Sequence, residues 1–342
     1  MDLEIGLYLE AEEGVTWSDW RRLARRAEAG GFDALATAVH LRSLQAPGRW
    51  CLDLWPVMTA LALWTRRLRF GPMVLPVAFY HPAQVARLAA ALDRLSRGRF
   101  RLRLGAGRDA AEHHAFGLPF PDHDERIAAL GEAVALIRRL WSGQPVSFAG
   151  RWYRLAEAQI QPTPLRPWLG LGGESDPLLR LAAAQADEWC TAGPTLERFR
   201  WLQARLDDLA RAAGRDPHTL ARTVMSGVVI GRDRAALQRR AHRLTALIPT
   251  LAGHPPAAVL ARLASEWRWW IGTPAEIVAQ TQPFIQAGAT QIFFQVFDPH
   301  DLAAVDLLAQ EVLPALRAVA ATRPAVACDA DAVLRRPGEV GR

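Results

Sequence analysis

Two side chains in this sequence have the types and placement for acid–base work. His40 follows Val39 at the end of the apolar run Asp33–Val39, and Glu112 stands five residues beyond the small-residue loop Gly105-Ala106-Gly107. An imidazole titrates near neutrality, and a carboxylate beside it can fix its orientation. A third feature is the turn Gly172-Gly173-Glu174-Ser175-Asp176. It opens a helix, so free N–H groups and the Ser175 hydroxyl together make an anion cradle suited to a phosphate. Arg126 sits at a helix start, where positive charge is disfavoured, and so points to an anionic partner. His113 and His114 adjoin Glu112, but no second ligand pair is spaced for a metal, and none is expected. Each residue also has a plain structural reading: a rim histidine, a helix-start acid, a tight turn. What favours chemistry is that all of them fall at the ends of strands.

Those strands come from hydrophobic periodicity. Apolar runs at Leu3–Leu9, Asp33–Val39, Leu68–Pro76, Arg99–Leu104, Trp168–Leu171, Glu188–Thr191, Thr223–Ile230 and Gln291–Phe297 alternate with helical patterns. The helices include Trp17–Gly30, Leu52–Trp64, Pro82–Leu95, Arg126–Trp141 and Leu196–Ala213. A capping box, Thr273-Pro274-Ala275-Glu276, opens a later one. Repeated βα units without a composition break predict an α/β fold, a (β/α)8 TIM barrel with insertions. The doubly wound alternative lacks Gly-x-Gly-x-x-Gly after the first strand. One domain over residues 1–318 is expected, with insertions at about 144–161 and 245–271. The first reads as a hairpin around Ala149-Gly150-Arg151, the second as irregular from Leu247 to Ile271, and residues 319–342 as a disordered tail. In a barrel, loops at the carboxyl ends of the strands converge on one face. That face takes Val39, His40, Leu75, Gly105, Glu112 and Gly172–Ser175. Gly105 and Gly107 lack a Cβ, which would let a flat ligand approach the backbone.

Composition narrows the function classes. The chain has 41 Lys plus Arg against 35 Asp plus Glu, for a net charge of +6. It contains neither Lys nor Asn, so every one of those bases is Arg, interspersed with acids rather than gathered in a block. This argues against nucleic-acid binding. The apolar run Pro72–Tyr80 is too short to span a bilayer, and the start of the sequence has no signal-peptide pattern. Three cysteines without metal-like spacing fit a reduced chain. A cytoplasmic protein is expected.

The motifs also carry a resemblance. Gly31-Phe32-Asp33, Thr65-Arg66-Arg67-Leu68, His81-Pro82, Leu92–Arg99, Gly105-Ala106-Gly107, Phe116-Gly117, Glu125-Arg126, Gly172-Gly173 and Ala186-Asp187-Glu188-Trp189 match as a set. The chain resembles the bacterial luciferase-like family of flavin- and F420-dependent oxidoreductases. The resemblance implies a barrel with its cofactor across the carboxyl face, and a non-proline cis peptide near Val74–Val77. It places Val39, His40, Arg103, Glu112, Arg126 and Ile127 at cofactor contacts and Ser175 at a phosphate. His40 and Glu112 are the catalytic candidates. Its first implication is a two-component monooxygenase taking reduced FMN and O2 to a small organic substrate. Its second is hydride transfer with F420, and its third a flavin-binding protein without turnover. A homodimer is implied, as is a flavin reductase or an F420-reducing dehydrogenase supplying reduced cofactor. Where alkanesulfonate-cleaving members carry a basic residue and a histidine, this chain has Ser226-Gly227-Val228, which argues against a sulfonate.

Overall fold

The computed structural model describes residues 2–322. The strands are β1 (Glu4–Leu9), β2 (Ala34–Thr37), β3 (Arg69–Pro72), β4 (Leu75–Pro76), β5 (Leu102–Gly105), β6 (Val146–Ala149), β7 (Arg154–Ala158), β8 (Leu169–Gly172), β9 (Glu188–Ala192), β10 (Ala221–Ile230), β11 (Trp270–Gly272) and β12 (Gln291–Gln295). They form a sheet in the order β3-β2-β1-β12-β10-β9-β8-β5-β4, with every neighbouring pair parallel. The two ends of that order, β3 and β4, are consecutive pieces of one strand, so the covalent chain itself closes the ring. A bridge between Phe70 and Phe100 helps join the seam. Counting β3 and β4 together, the nine strands fill the eight positions of a TIM barrel. The cis peptide falls at Met73–Val74, between the two halves.

The helices that cover the barrel are α1 (Trp17–Ala29), α2 (Leu54–Trp64), α3 (Pro82–Leu95), α4 (Ala110–Ala115), α5 (His123–Leu140), α6 (Asp176–Gln185), α7 (Leu196–Ala212), α8 (Arg234–Leu247), α9 (Pro256–Ser265), α10 (Pro274–Gln286), α11 (Leu302–Leu307) and α12 (Leu313–Ala321). Their starts follow from capping chemistry. Thr16 with Asp19 and Thr273 with Glu276 each form a reciprocal box that satisfies end N–H groups. Because helices shield the outer face and side chains fill the interior, the strands are buried on both sides and read as continuous apolar runs. No helix among the described residues is long and apolar enough to cross a membrane.

Several boundaries differ from the sequence reading. The stretch read as irregular between Leu247 and Ile271 contains α9 and β11. Val259 and Leu263, one helical turn apart, pack with Leu244, Ile248, Leu251 and Trp269 in a core of their own. The hairpin expected around Ala149-Gly150-Arg151 is β6–β7, with its second strand at Arg154–Ala158. The Glu132 carboxylate accepts the N–H groups of Arg151, Trp152 and Tyr153, which holds those residues in the turn. At the far end α12 runs on to Ala321. The rest of the expected tail, residues 323–342, lies outside the described residues.

Candidate active site

A cavity of about 850 Å³ opens at the carboxyl ends of the strands. This is within the size range of small-molecule and cofactor sites. Of the residues singled out from sequence, Val39, His40, Gly105, Glu112, Ile127, Gly172, Gly173, Glu174 and Ser175 line it. Three do not: Leu75, Arg103 and Arg126.

His40 and Glu112 are joined directly. The histidine lies just past β2, and Cys51 Sγ donates to its carbonyl at 3.1 Å. Glu112 is on α4, where the Asp109 side chain accepts the Glu112 N–H at 2.9 Å and fixes the first turn. From there its carboxylate reaches back to β2: Oε2 is 2.9 Å from His40 Nδ1, and Oε1 accepts the Leu41 N–H at 2.6 Å. Burial pushes this carboxyl up, but the bonds from His40 and Leu41 outweigh it and leave it below its ordinary range. An ionised carboxylate only accepts, so Nδ1 carries the proton, and in the neutral form of the ring that tautomer leaves the lone pair on Nε2. That is the arrangement of an oriented base.

Acids that the sequence reading passed over stand behind this pair. Glu10 lines the cavity, and Glu12 is 4.0 Å from His40 Nε2. Burial pushes the Glu12 carboxyl well up, and the neighbouring Glu10 charge raises it further. Glu12 therefore keeps a proton where an exposed glutamate loses it. The signal was present in Glu10-Ala11-Glu12-Glu13, directly after the first strand, where a barrel places site residues.

On the opposite wall the Gly172–Ser175 turn leads into α6. Ser175 occupies the N-cap position, yet its hydroxyl makes no capping bond, and its buried Oγ has no partner in the protein. An orphaned hydroxyl beside open helix N–H groups suits a phosphate oxygen. The Glu174 carboxylate is already engaged, by Thr191 at 2.5 Å and Arg198 at 3.0 Å. Gly105 plays a different part from the one its missing Cβ suggested. A Cβ there would lie 2.5 Å from Val74 Cγ2, and one on Gly172 would lie 2.6 Å from Val74 Cγ1. The two glycines make room for Val74, and Val74 in turn faces the cavity.

The three residues off the cavity each have a physical reason. Leu75 is wholly buried, part of the main core. Arg103 points into the barrel beneath the cavity, 1% exposed, with Nε 2.7 Å from the 0% exposed Glu188 carboxylate and Nη2 3.3 Å from Gln291 Oε1. Thr223 and Trp168 complete the Glu188 shell at 2.6 and 2.8 Å. A charge so enclosed is satisfied internally and does not reach the carboxyl face. Arg126 lies over the Phe120 ring at 4.0 Å and donates to the Pro121 carbonyl. Its helix starts at His123, with Asp122 at the cap and Asp124 and Glu125 in the first turn, so acids already answer the helix dipole there.

A closed parallel barrel whose carboxyl face carries an oriented histidine and a phosphate-suited turn defines a TIM-barrel protein with a candidate cofactor site. The chain belongs to the luciferase-like monooxygenase family, whose sequence profile matches residues 4–291. Among its relatives, an F420-dependent hydroxymycolic acid dehydrogenase of Mycobacterium tuberculosis is 32% identical over 305 residues, covering 86% of this chain and 83% of the relative. An F420-dependent glucose-6-phosphate dehydrogenase of Amycolatopsis mediterranei is 30% identical over 338 residues, covering 93% and 99%. The fold is similar to a solved F420-dependent secondary alcohol dehydrogenase in complex with an F420-acetone adduct (TM-score 0.79, 23% identity, 92% of this chain and 99% of that one). It is nearly as similar to a long-chain alkane monooxygenase (TM-score 0.78, 17% identity, 93% and 92%).

Proposed function

We propose that this chain is an F420-dependent dehydrogenase that interconverts a hydroxyl and a carbonyl on a small organic substrate. The fold does not choose between the cofactors, since F420 and monooxygenase structures superpose on it equally well. The relatives at about 30% identity are F420-dependent dehydrogenases, and this moves the reading from reduced FMN and O2 to F420. The observation that carries it is the His40–Glu112 pair. Oxidising an alcohol requires a base for the hydroxyl proton, and Nε2 of His40 is such a base at a cavity wall.

The residues present fit the cofactor. The Ser175 hydroxyl and the amides opening α6 would hold its phosphate. Val39, Val74 and the Gly105 loop would face its ring. F420, when bound, supplies a two-electron carrier that exchanges a hydride with the substrate carbon. The protein's own work is the proton. His40 Nε2 takes it from the hydroxyl, Glu112 holds Nδ1–H and stabilises the imidazolium that forms, and the barrel face excludes water. Burial holds the Glu12 carboxyl well above its ordinary range, which favours its uncharged form beside the histidine. The test is titration of the purified protein with F420 and with reduced FMN. F420 is expected to bind more tightly and to lose its visible absorbance when an alcohol is added. Tight binding of reduced FMN alone, with no alcohol-dependent bleaching of F420, would overturn the reading.

A further inference from the structure

The remaining sector of the cavity speaks to the substrate. The middle of β10, the end of β12 and the segment before β11 bring Met225, Phe297, Trp267 and Trp269 to the cavity lining. The Trp267 and Trp269 rings meet edge to face with centroids 5.7 Å apart, and Trp269 and Phe297 tilt together at 6.3 Å. Trp269 lies flat on β10 because residue 227 is glycine. A Cβ at Gly227 would come within 2.1 Å of the indole carbons.

The polar groups in this sector are already engaged. Ser226 Oγ donates to the Arg268 carbonyl at 2.8 Å, Arg268 Nη1 donates to the Gly193 carbonyl at 3.1 Å, and the Gln295 amide donates to Glu10. The cationic side chains that line the cavity without a partner among the described residues, Arg108 and His123, stand on the segments after β5 rather than on this wall. A polyol or sugar phosphate seated here would give up its water hydrogen bonds and find few replacements. An apolar framework would lose nothing polar and would cover the aromatic wall.

We propose that the substrate is an alcohol whose hydroxyl sits on an extended apolar alkyl or aryl framework, or the matching carbonyl compound. The wall of Trp267, Trp269, Phe297 and Met225 favours it over a sugar phosphate. This rests on the F420 reading for the chemistry but not for the binding. In the oxidation, the C–H bond of the carbinol carbon breaks with its electron pair going to oxidised F420. The hydroxyl proton passes to His40, and the C–O bond becomes a carbonyl.

The test has two arms on the full chain. In the first, cofactor-free protein is titrated with cyclohexanone, menthone and glucose 6-phosphate while tryptophan fluorescence is followed. The ketones are expected to quench it saturably and the sugar phosphate to leave it unchanged. In the second, F420 bleaching is measured with isopropanol, cyclohexanol, menthol and glucose 6-phosphate. The specificity constant kcat/KM is expected to rise at least tenfold from isopropanol to cyclohexanol. Trp269→Ala is expected to raise KM for cyclohexanol about tenfold with less change in kcat, and to leave the F420 Kd within twofold. Trp267→Ala, at the half-exposed edge of the wall, gives the same readout if the first variant does not fold. Saturable binding of glucose 6-phosphate in preference to the ketones would overturn the proposal, as would a KM unmoved in both variants. Ketone binding without any F420 binding or bleaching would leave the apolar wall standing and sink the cofactor reading instead.

Discussion

Replacing Glu112 with glutamine tests the base assignment at a single atom. The wild-type carboxylate accepts two donors, the Leu41 N–H at 2.6 Å and His40 Nδ1–H at 2.9 Å. An amide offers one oxygen. The backbone donor is fixed, so in Glu112→Gln that oxygen stays with Leu41 and the NH2 group turns to His40. Two donors cannot face each other, and the imidazole answers by moving its proton to Nε2. The base then has no lone pair where the substrate hydroxyl arrives. Loss of the charge-assisted bond removes about 1.5–3 kcal/mol of orientation and imidazolium stabilisation, roughly 10- to 160-fold in rate. Loss of general-base catalysis is worth about 10²–10⁴. The expected result is a kcat for alcohol oxidation at least about 100-fold down, read as the initial rate of F420 bleaching. Nitrogen-15 NMR of the His40 ring reads the tautomer without any cofactor and should show the proton transferred from Nδ1 to Nε2. A variant that keeps its proton on Nδ1, or that turns over within about threefold of wild type, would refute the reasoning.

Three further outcomes are expected. Folded Glu12 holds a proton that the unfolded chain releases at its ordinary pKa, so stability should fall as pH rises from the usual carboxylate range towards the raised value. Glu12→Gln should flatten that slope, and a thermal-unfolding series from pH 5 to pH 8 with an unchanged slope would contradict it. Glu188→Gln removes the counter-charge of buried Arg103 and should cost about 3–5 kcal/mol, a fall of roughly 4–7 °C in Tm by calorimetry. A loss below about 1 kcal/mol would mean that Gln291 and the Phe293 ring suffice to hold the guanidinium. Ser175→Asp sets a carboxylate against the phosphate of the cofactor and should weaken F420 at least about tenfold in a fluorescence titration. Unchanged affinity would remove Ser175 from the site.

What the sequence made legible were the strand ends. Because each βα unit repeats the same change of period, the pattern alone places the residues just past β2, β5 and β8 on one face. Arg103 could be read either as a cofactor contact or as a residue turned into the barrel towards a carboxylate, and strand geometry decides for the second. Successive side chains alternate, and with Leu102 and Leu104 turned outward Arg103 must face the barrel axis, below the rim. Its partner Glu188 lies 85 residues away, a distance over which no local pattern reports pairing. Glu10 and Glu12 look like a solvated acidic run until burial shows otherwise. The apolar wall is hidden in the same way. Gly227 and Trp269 are separated by α8 and α9, and only the parallel pairing of β10 with β11 brings them together.

The packing of Val74 between Gly105 and Gly172 has a consequence for how this protein can change. One side chain keys β4 to two neighbouring strands through contacts against bare backbone. A substitution at either glycine has no flexible tip to yield, so it must move a strand. The floor of the cavity is therefore closed to gradual variation. The rim, where Trp267 is partly buried and Arg268 exposed, accepts new shapes one residue at a time. A descendant of this chain with a new substrate would be expected to carry its changes on the segment 266–268 and to keep the glycines, Val74 and Trp269 as they stand.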